Sequence, residues 1–254
     1  MVLPLPTASA DPSLRPGLVL EYLAGGTLGA ALGLTTGGPP HGQMLSAVLM
    51  QLAADVACGL HFLHSHSIIH CDVKSSNVLL DTSQPPRAKL CDFGISVLRR
   101  PMDTHESPTG ATCFSLGTPR YQAPEITTTL AKIAMVQGVA QVACGPQGAC
   151  APQSVYETDG CAGEAIPLLP VHAPMDVYAF GLLLYEILHG HVAFEGQSPV
   201  AAMLRASRGE RPQLALRPEH AYLAQLIERC WDAEPARRPS MHEVLKVIDP
   251  VPDS

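Results

Sequence analysis

Apolar side chains recur near every fourth position between Gln43 and His64, which predicts a long helix with one face toward a core. The segment Val177–Leu188 is apolar on all sides and is followed by Gly190, as expected for a buried helix with glycine at its C-terminal end. Three shorter helices are predicted from start signals and periodicity: Val200–Ser207 after Ser198-Pro199, Tyr222–Asp232, and a last helix that begins at the capping box Ser240–Glu243 and ends at Ile248.

Short apolar runs between turn-rich polar stretches predict a few small strands. The polar, Ser/Thr-rich stretch Ile95–Pro119 is predicted to be a loop. Because helices dominate the second half of the chain, the pattern favours a mainly α fold of the α+β type. The predicted strands are Leu18–Tyr22, Ile68–His70, Val78–Leu80 and Ala88–Cys91.

Three segments have a composition that sets them apart from this core. Residues 1–17 are Pro-rich and predicted to be irregular, and residues 249–254 form a short tail. Thr127–Ala173 has few charges and many Gly, Pro and Ala residues, so we expect a flexible insertion outside the core, with some helix within Leu130–Ala143. Its cysteines lack CxxC spacing and a nearby histidine pair, which argues against a zinc site: Cys144, Cys150 and Cys161.

Composition narrows the class of protein. The 254 residues are 46% apolar, which is enough for a sizeable core, and the net charge of −7 argues against a nucleic-acid partner. The N-terminus has no basic region ahead of an uninterrupted apolar run, as a signal peptide would need. The longest uncharged apolar run, Val177–Tyr185, is too short to cross a membrane. We therefore expect no transmembrane segment in this chain and a cytoplasmic, intracellular location.

The candidate chemistry lies in the polar loop between two predicted strands. Asp72, Lys74 and Asn77 fall within six residues, and Asp92-Phe93-Gly94 follows directly after the next strand. Carboxylates and an amide oxygen at adjacent strand ends can converge on one point. Hard oxygen ligands of this kind suit Mg²⁺ that carries phosphates.

In its order of motifs the chain resembles the eukaryotic protein kinase family. His70–Asn77 is similar to the kinase catalytic loop, and Asp92-Phe93-Gly94 to the metal-binding motif that follows it. The phrase DVKSSNVLLD is most similar to the tyrosine-kinase-like group, which includes plant-type receptor-like and mixed-lineage serine/threonine kinases. Further family segments resemble the hinge, the activation-segment end, the central helix and the closing segment: Leu18–Leu23, Gly117–Glu125, Asp176–Gly181, and Cys230-Trp231 with Arg238–Ser240.

The resemblance implies a protein serine/threonine kinase domain over 18–248, consisting of the hinge and the helical C-terminal lobe. By resemblance, Asp72 accepts or orients the proton of the substrate hydroxyl and Lys74 neutralises charge on the transferring phosphate. Asn77 and Asp92 then hold the Mg²⁺ ions that bridge the phosphates of ATP. Lys74, together with Thr118, matches serine/threonine rather than tyrosine kinases.

The same resemblance places the adenine. The backbones of Glu21 and Leu23 are expected to hydrogen-bond its edge, Leu79 to pack under its ring, and Leu20 to stand beside the pocket as the gatekeeper.

Other motif residues are expected to have structural roles. Asp176 is expected to anchor the catalytic loop, and Glu125 to form a buried ion pair with Arg238. His70 is favoured as a packed core histidine, and Cys91 as a small core residue over a reactive thiol.

Two departures from the family affect the functional hypothesis. No GxGxxG motif precedes Leu18 and the first lysine is Lys74, so the N-terminal β-lobe is expected to be essentially missing and ATP and Mg²⁺ binding to be weak. Cys71 stands where most of the family has an arginine that receives an activation-loop phosphate. Two hypotheses stay open. The first is a serine/threonine kinase that is truncated in this chain and inactive by itself, with an upstream N-lobe or kinase partner and a protein substrate. The second is an inactive kinase-like lobe that serves as a scaffold or regulatory module.

Overall fold

The computed structural model describes residues 20–34, 44–98, 117–136 and 171–248, with backbone only at 132–136. Within these segments the fold is mainly helical, and short 3-10 turns, such as Ser75–Asn77 and Pro119–Tyr121, separate the longer elements. The α-helices are α1 (Leu28–Ala31), α2 (Ser46–Ser65), α3 (Pro124–Val136), α4 (Ala173–His189), α5 (Pro199–Ser207), α6 (Ala224–Cys230) and α7 (Met241–Ile248).

Helix α4 forms the centre of the core. Every residue from Met175 to Ile187 is buried, and α2 and α6 pack around this helix. Gly190 ends it in the left-handed conformation, at φ 71°, as the glycine after an apolar run predicts. By length and apolar composition alone, α2 could cross a membrane, but this helix also packs against α4 and α7, as a core helix does.

The strands form two separate antiparallel pairs. Strand β2 (Val78–Leu80) pairs with β3 (Ala88–Leu90), and Val78 lies opposite Leu90. Strand β1 (Ile68–Ile69) pairs with β4 (Val97–Leu98). The prediction of a loop over Ile95–Pro119 was therefore wrong at Val97–Leu98, because a two-residue strand has no periodicity of its own and is defined by its partner.

The predicted strand Leu18–Tyr22 was also wrong in its described part. Residues 20–22 form no strand, and the side chains of Leu20 and Tyr22 are 74% and 88% exposed. The pairing shifts along the chain instead: the Gly25 amide donates to the Leu80 carbonyl at 3.0 Å, and the Leu80 amide donates to the Gly26 carbonyl at 2.9 Å. A Cβ at Gly25 would lie 2.4 Å from a backbone oxygen, so this close approach to β2 requires glycine.

The helix predictions were confirmed, with shifted ends. The Ser198 hydroxyl accepts from the Ala201 amide at 3.2 Å, and Ser240 and Glu243 form the reciprocal capping box of α7. The predicted helix Tyr222–Asp232 begins as a 3-10 turn, Pro218–Leu223, before α6.

Helix α3 includes the first residues of the predicted insertion, and Leu130 packs against the core. The rest of that insertion, with Cys144, Cys150 and Cys161, lies outside the described residues, as do the two ends of the chain.

Candidate active site

Asp72 is the centre of a tight hydrogen-bonded cluster. Its Oδ1 accepts from the amide and from the hydroxyl of Thr118, both at 2.9 Å. Its Oδ2 accepts from Lys74 Nζ at 2.7 Å and from Asn77 Nδ2 at 2.9 Å. Lys74 Nζ also donates to the Thr118 hydroxyl, at 2.6 Å. The predicted catalytic residues Asp72, Lys74 and Asn77 are thus brought together, with Thr118 between the acid and the cation.

These contacts determine the charge of Asp72. Burial by itself raises the pKa of this carboxyl, but the hydrogen bonds from Lys74 and Thr118 outweigh burial, and the pKa lies below its ordinary value. Asp72 is therefore ionised at neutral pH although it is only 9% exposed.

Asp176 of α4 anchors the backbone of the catalytic loop. Its carboxylate accepts from the amides of His70 and Cys71, at 2.8 and 2.9 Å, and contacts His64 Nε2 at 2.9 Å. Cys71 is held at φ 68°, a conformation that costs a non-glycine residue energy, so these two bonds stabilise a strained turn. The predicted anchoring role of Asp176 agrees with this geometry.

His70 is a packed structural histidine, as expected. Its ring is fully buried, its Nδ1 accepts from the Asp72 amide at 3.3 Å, and its Nε2 lies 3.1 Å from the Cys91 carbonyl. An accepting Nδ1 and a donating Nε2 together define the neutral tautomer. The ring therefore sets the position of the Asp72 backbone without carrying charge.

Gly117 allows the activation-segment end to approach the catalytic loop. It has φ 78°, and a Cβ at this position would lie 2.4 Å from the Cys71 carbonyl oxygen. Only glycine fits both requirements. The close approach places the next residue, Thr118, against Asp72.

Asn77 and Asp92 lie at neighbouring strand ends. Asn77 precedes β2 and Asp92 follows β3 after one residue, and the Cys91 amide donates to the Asn77 carbonyl at 3.0 Å. The Asn77 amide nitrogen is committed to Asp72, which leaves the side-chain oxygen as its possible metal ligand. Asp92 is exposed, and its carboxylate accepts from the Gly94 amide at 3.3 Å. Together they present an amide oxygen and a carboxylate, a donor set that fits Mg²⁺.

The residues expected to hold adenine are all exposed or only partly buried. Leu79 in β2 is half-buried, Leu23 is partly buried, and Leu20 and Glu21 are exposed. The Glu21 carboxylate is bound by Lys89 Nζ of β3, at 2.9 and 2.7 Å. This ion pair, which the sequence motifs did not indicate, ties the predicted hinge to the strand pair.

The sequence also did not single out a cluster behind the catalytic loop. The Tyr121 hydroxyl donates to Glu186 Oε1 at 2.5 Å, and Ser75 lies beside them. A signal was present, since Glu186 is the single carboxyl in the apolar segment Val177–Leu188.

Two family models match this chain. The model of the protein kinase domain matches residues 10–145, and the model described as protein tyrosine and serine/threonine kinase matches residues 153–248. This chain belongs to the protein kinase family. The match to the first model extends over more than half of the chain and includes the Asp72 cluster and Asp92.

Similar curated proteins include kinases of Arabidopsis thaliana and of Dictyostelium discoideum. This kinase domain is 30% identical to the serine/threonine/tyrosine-protein kinase HT1 of Arabidopsis thaliana over 91% of the chain and 46% of that protein. It is 29% identical to the serine/threonine-protein kinase VIK of the same plant, over 93% of the chain and 44% of that protein. It is also 29% identical to the dual specificity protein kinase shkC of Dictyostelium discoideum, over 80% and 32%.

These relatives confirm the resemblance to the tyrosine-kinase-like group. The kinase domain spans less than half the length of each of them.

Proposed function

We propose that this chain is the catalytic-site part of a protein serine/threonine kinase, which transfers the γ-phosphate of ATP to a serine or threonine hydroxyl of a protein. The position of the Thr118 hydroxyl supports this most directly. It lies 2.9 Å from Asp72 Oδ1 and 2.6 Å from Lys74 Nζ. The site thus accommodates an aliphatic hydroxyl between a carboxylate and a cation, which is the environment that a phosphoryl acceptor needs.

In this mechanism Asp72 orients the acceptor hydroxyl and receives its proton. Since the pKa of Asp72 is lowered, this carboxylate is ionised but weakly basic. It therefore takes the proton late, when bonding to phosphorus has made the hydroxyl acidic. Lys74 stays beside the acceptor and neutralises charge on the transferring phosphoryl group. Asp176 holds the backbone of the loop in place throughout.

Asn77 and Asp92 are the residues that would hold Mg²⁺, through the Asn77 amide oxygen and the Asp92 carboxylate. The bound ion supplies charge neutralisation across the phosphates of ATP. We assign the adenine to Leu20, Glu21, Leu23 and Leu79. Because ATP is the donor, we place the activity inside the cell.

The test compares two carboxylate-to-amide variants of the complete protein that carries this sequence. Asp72→Asn removes the proton acceptor, and Glu228→Gln changes an exposed carboxylate on α6 that contacts none of these groups. With radiolabelled ATP, Mg²⁺ and a peptide library bearing Ser, Thr or Tyr acceptors, Asp72→Asn should lower transfer about a hundred-fold or more, and Glu228→Gln should leave it unchanged.

Three outcomes would contradict the proposal. Equal transfer by the wild type and Asp72→Asn would remove Asp72 from the chemistry. A folded wild-type protein without any transfer would favour the second hypothesis, a non-catalytic scaffold. Transfer to tyrosine acceptors alone would overturn the serine/threonine assignment.

A further inference from the structure

Glu186 is an ionisable group buried in the centre of the molecule. It lies on α4, its side chain is fully buried, and its Oε1 accepts from the Tyr121 hydroxyl at 2.5 Å. Its other oxygen, Oε2, is also buried and has no hydrogen-bond partner among the described residues. A carboxylate in such a place loses the hydration of both oxygens, and among the residues described only Oε1 accepts hydrogen bonds in exchange, so the neutral form is favoured.

Among the described residues, no positively charged side chain forms an ion pair with Glu186. In the described part of the chain, the ionisable groups that act on it are the Tyr121 phenol and the Arg120 guanidinium. Arg120 instead donates to the backbone carbonyls of Ala193, Phe194 and Gln197.

Burial raises the pKa of Glu186 to about 7, although hydrogen bonds from Tyr121 and Ser75 and the charge of Arg120 act in the opposite direction. Burial also raises the pKa of Tyr121, so the phenol keeps its proton and remains the donor.

The two neighbours of Glu186 belong to the two segments that form the active site. Ser75 directly follows Lys74 in the catalytic loop, and Tyr121 lies three residues after Thr118. Thr118 and Lys74 both bind Asp72 and each other. Glu186 therefore lies behind the Asp72 cluster, where one side chain contacts both segments that must stay aligned.

We propose that Glu186 is a positioning residue that holds the Tyr121 turn and the Ser75 turn together while it carries a proton, and that its ionisation loosens the alignment of Thr118 and Lys74 on Asp72. This inference deepens the proposed kinase function and rests on it. The protonated carboxyl accepts from Tyr121 on Oε1 and leaves no charge on the buried Oε2, which has no partner among the described residues. The ionised carboxylate places a negative charge in apolar surroundings. The Tyr121 and Ser75 turns must then move apart or admit water.

The test that needs no catalysis is an NMR titration of the folded chain with ¹³C-labelled Glu carboxyl groups. The Glu186 carboxyl resonance should titrate near pH 7, and the Thr118 amide resonance should shift with the same midpoint. In Glu186→Gln, which imitates the protonated carboxyl, both transitions should vanish, while Glu228→Gln keeps them. Tyr121→Phe and Ser75→Ala each remove a hydrogen bond to the carboxylate and should raise the Glu186 midpoint.

The second readout is the pH dependence of kcat in the complete protein. Wild-type kcat should fall about ten-fold per pH unit once Glu186 ionises, and this fall should be absent in Glu186→Gln. An ordinary carboxyl midpoint for Glu186, or a Thr118 amide that does not respond to it, would overturn the inference. If the titrations occur as expected but no transfer is seen, the proposed function fails and the coupling of Glu186 to Thr118 stands. If Glu186→Gln does not fold, the midpoints of Tyr121→Phe and Ser75→Ala decide.

Discussion

Arg238 and Glu125 form a bidentate ion pair in which the Arg238 side chain is fully buried and the Glu125 side chain is 14% exposed. The guanidinium nitrogens lie 2.8 and 2.7 Å from the two carboxylate oxygens, and the Arg238 side chain has no exposed surface. Two further N–H groups of Arg238 donate to the carbonyls of Asp232 and Pro174, and its guanidinium lies over the Tyr178 ring at 5.1 Å. The pair thus joins the start of α3, the start of α4 and the loop before α7.

Removal of one partner should be far more harmful than removal of both. Arg238→Met leaves the mostly buried Glu125 carboxylate without its bidentate partner, and the free energy of unfolding should fall by about 3 kcal/mol, the low end for a buried pair. The double variant Arg238→Met/Glu125→Met should recover a large part of that loss. Urea denaturation of the two single variants and the double variant measures this, and equal losses for all three would contradict a coupled pair.

Gly117 should tolerate no side chain, because Thr118 depends on its close approach to Cys71. Gly117→Ala should destabilise the protein and disrupt the Thr118–Asp72 contacts, whereas Gly196→Ala should cost only about 1–2 kcal/mol. Gly196 is a matched control, since it has the same φ of 78° with no atom near the added Cβ. Thermal unfolding, together with the Thr118 amide resonance, distinguishes the two, and identical behaviour would show that the clash at Cys71 is relieved at no cost.

Asp72 should stabilise the fold only while it is ionised. Its pKa is lowered in the folded protein, so its contribution to the free energy of unfolding is fully present above the unfolded value of 3.8 and is lost as the pH falls through the folded value. The stability difference between wild type and Asp72→Asn should therefore shrink as the solution is acidified below about pH 4. Other carboxyls titrate equally in both proteins, so a difference that stays constant with pH would contradict the assigned contacts.

Cys71 should be an unreactive thiol. Burial, and after it the charge of Asp176, raises the pKa of Cys71 to about 12. At neutral pH its thiolate fraction is about a thousand-fold lower than that of an ordinary thiol with a pKa of 9.0. In a timed iodoacetamide reaction followed by peptide mass spectrometry, Cys71 should be alkylated far more slowly than the exposed Cys58. Preferential alkylation of Cys71 would contradict this prediction.

A separate hypothesis from the sequence concerns phosphorylation of the activation loop. Because Cys71 replaces the usual arginine, a phosphate on this loop is expected to order it poorly. The candidate acceptors, Thr104, Ser107, Thr109 and Thr112, lie outside the described residues, so this hypothesis stays a prediction. So do the expected absence of the β-lobe and the flexible character of the insertion.

Local signals in the sequence were sufficient for the main helices and for the three strands β1, β2 and β3. An apolar run that ends at Gly190, a serine ahead of Pro199 and the Ser240–Glu243 capping box each act within a few residues, and each element formed as predicted. The motif order likewise identified Asp72, Lys74 and Asn77 as neighbours, because residues that fall within six positions of one loop cannot lie far apart.

Contacts between distant segments were decided by the tertiary structure alone. Strand β4 exists because β1 lies beside it, and residues 20–22 form no strand because Gly25–Thr27 pair with β2 in their place. The Tyr121–Glu186 bond joins residues 65 positions apart. Sequence showed an acidic residue in an apolar helix. Only the folded chain determines that this carboxyl is shielded from water and that, within the described part of the chain, only one of its oxygens accepts a hydrogen bond. Its proton is therefore retained near neutral pH, because the protonation of a buried acid depends on the surroundings that the rest of the chain supplies.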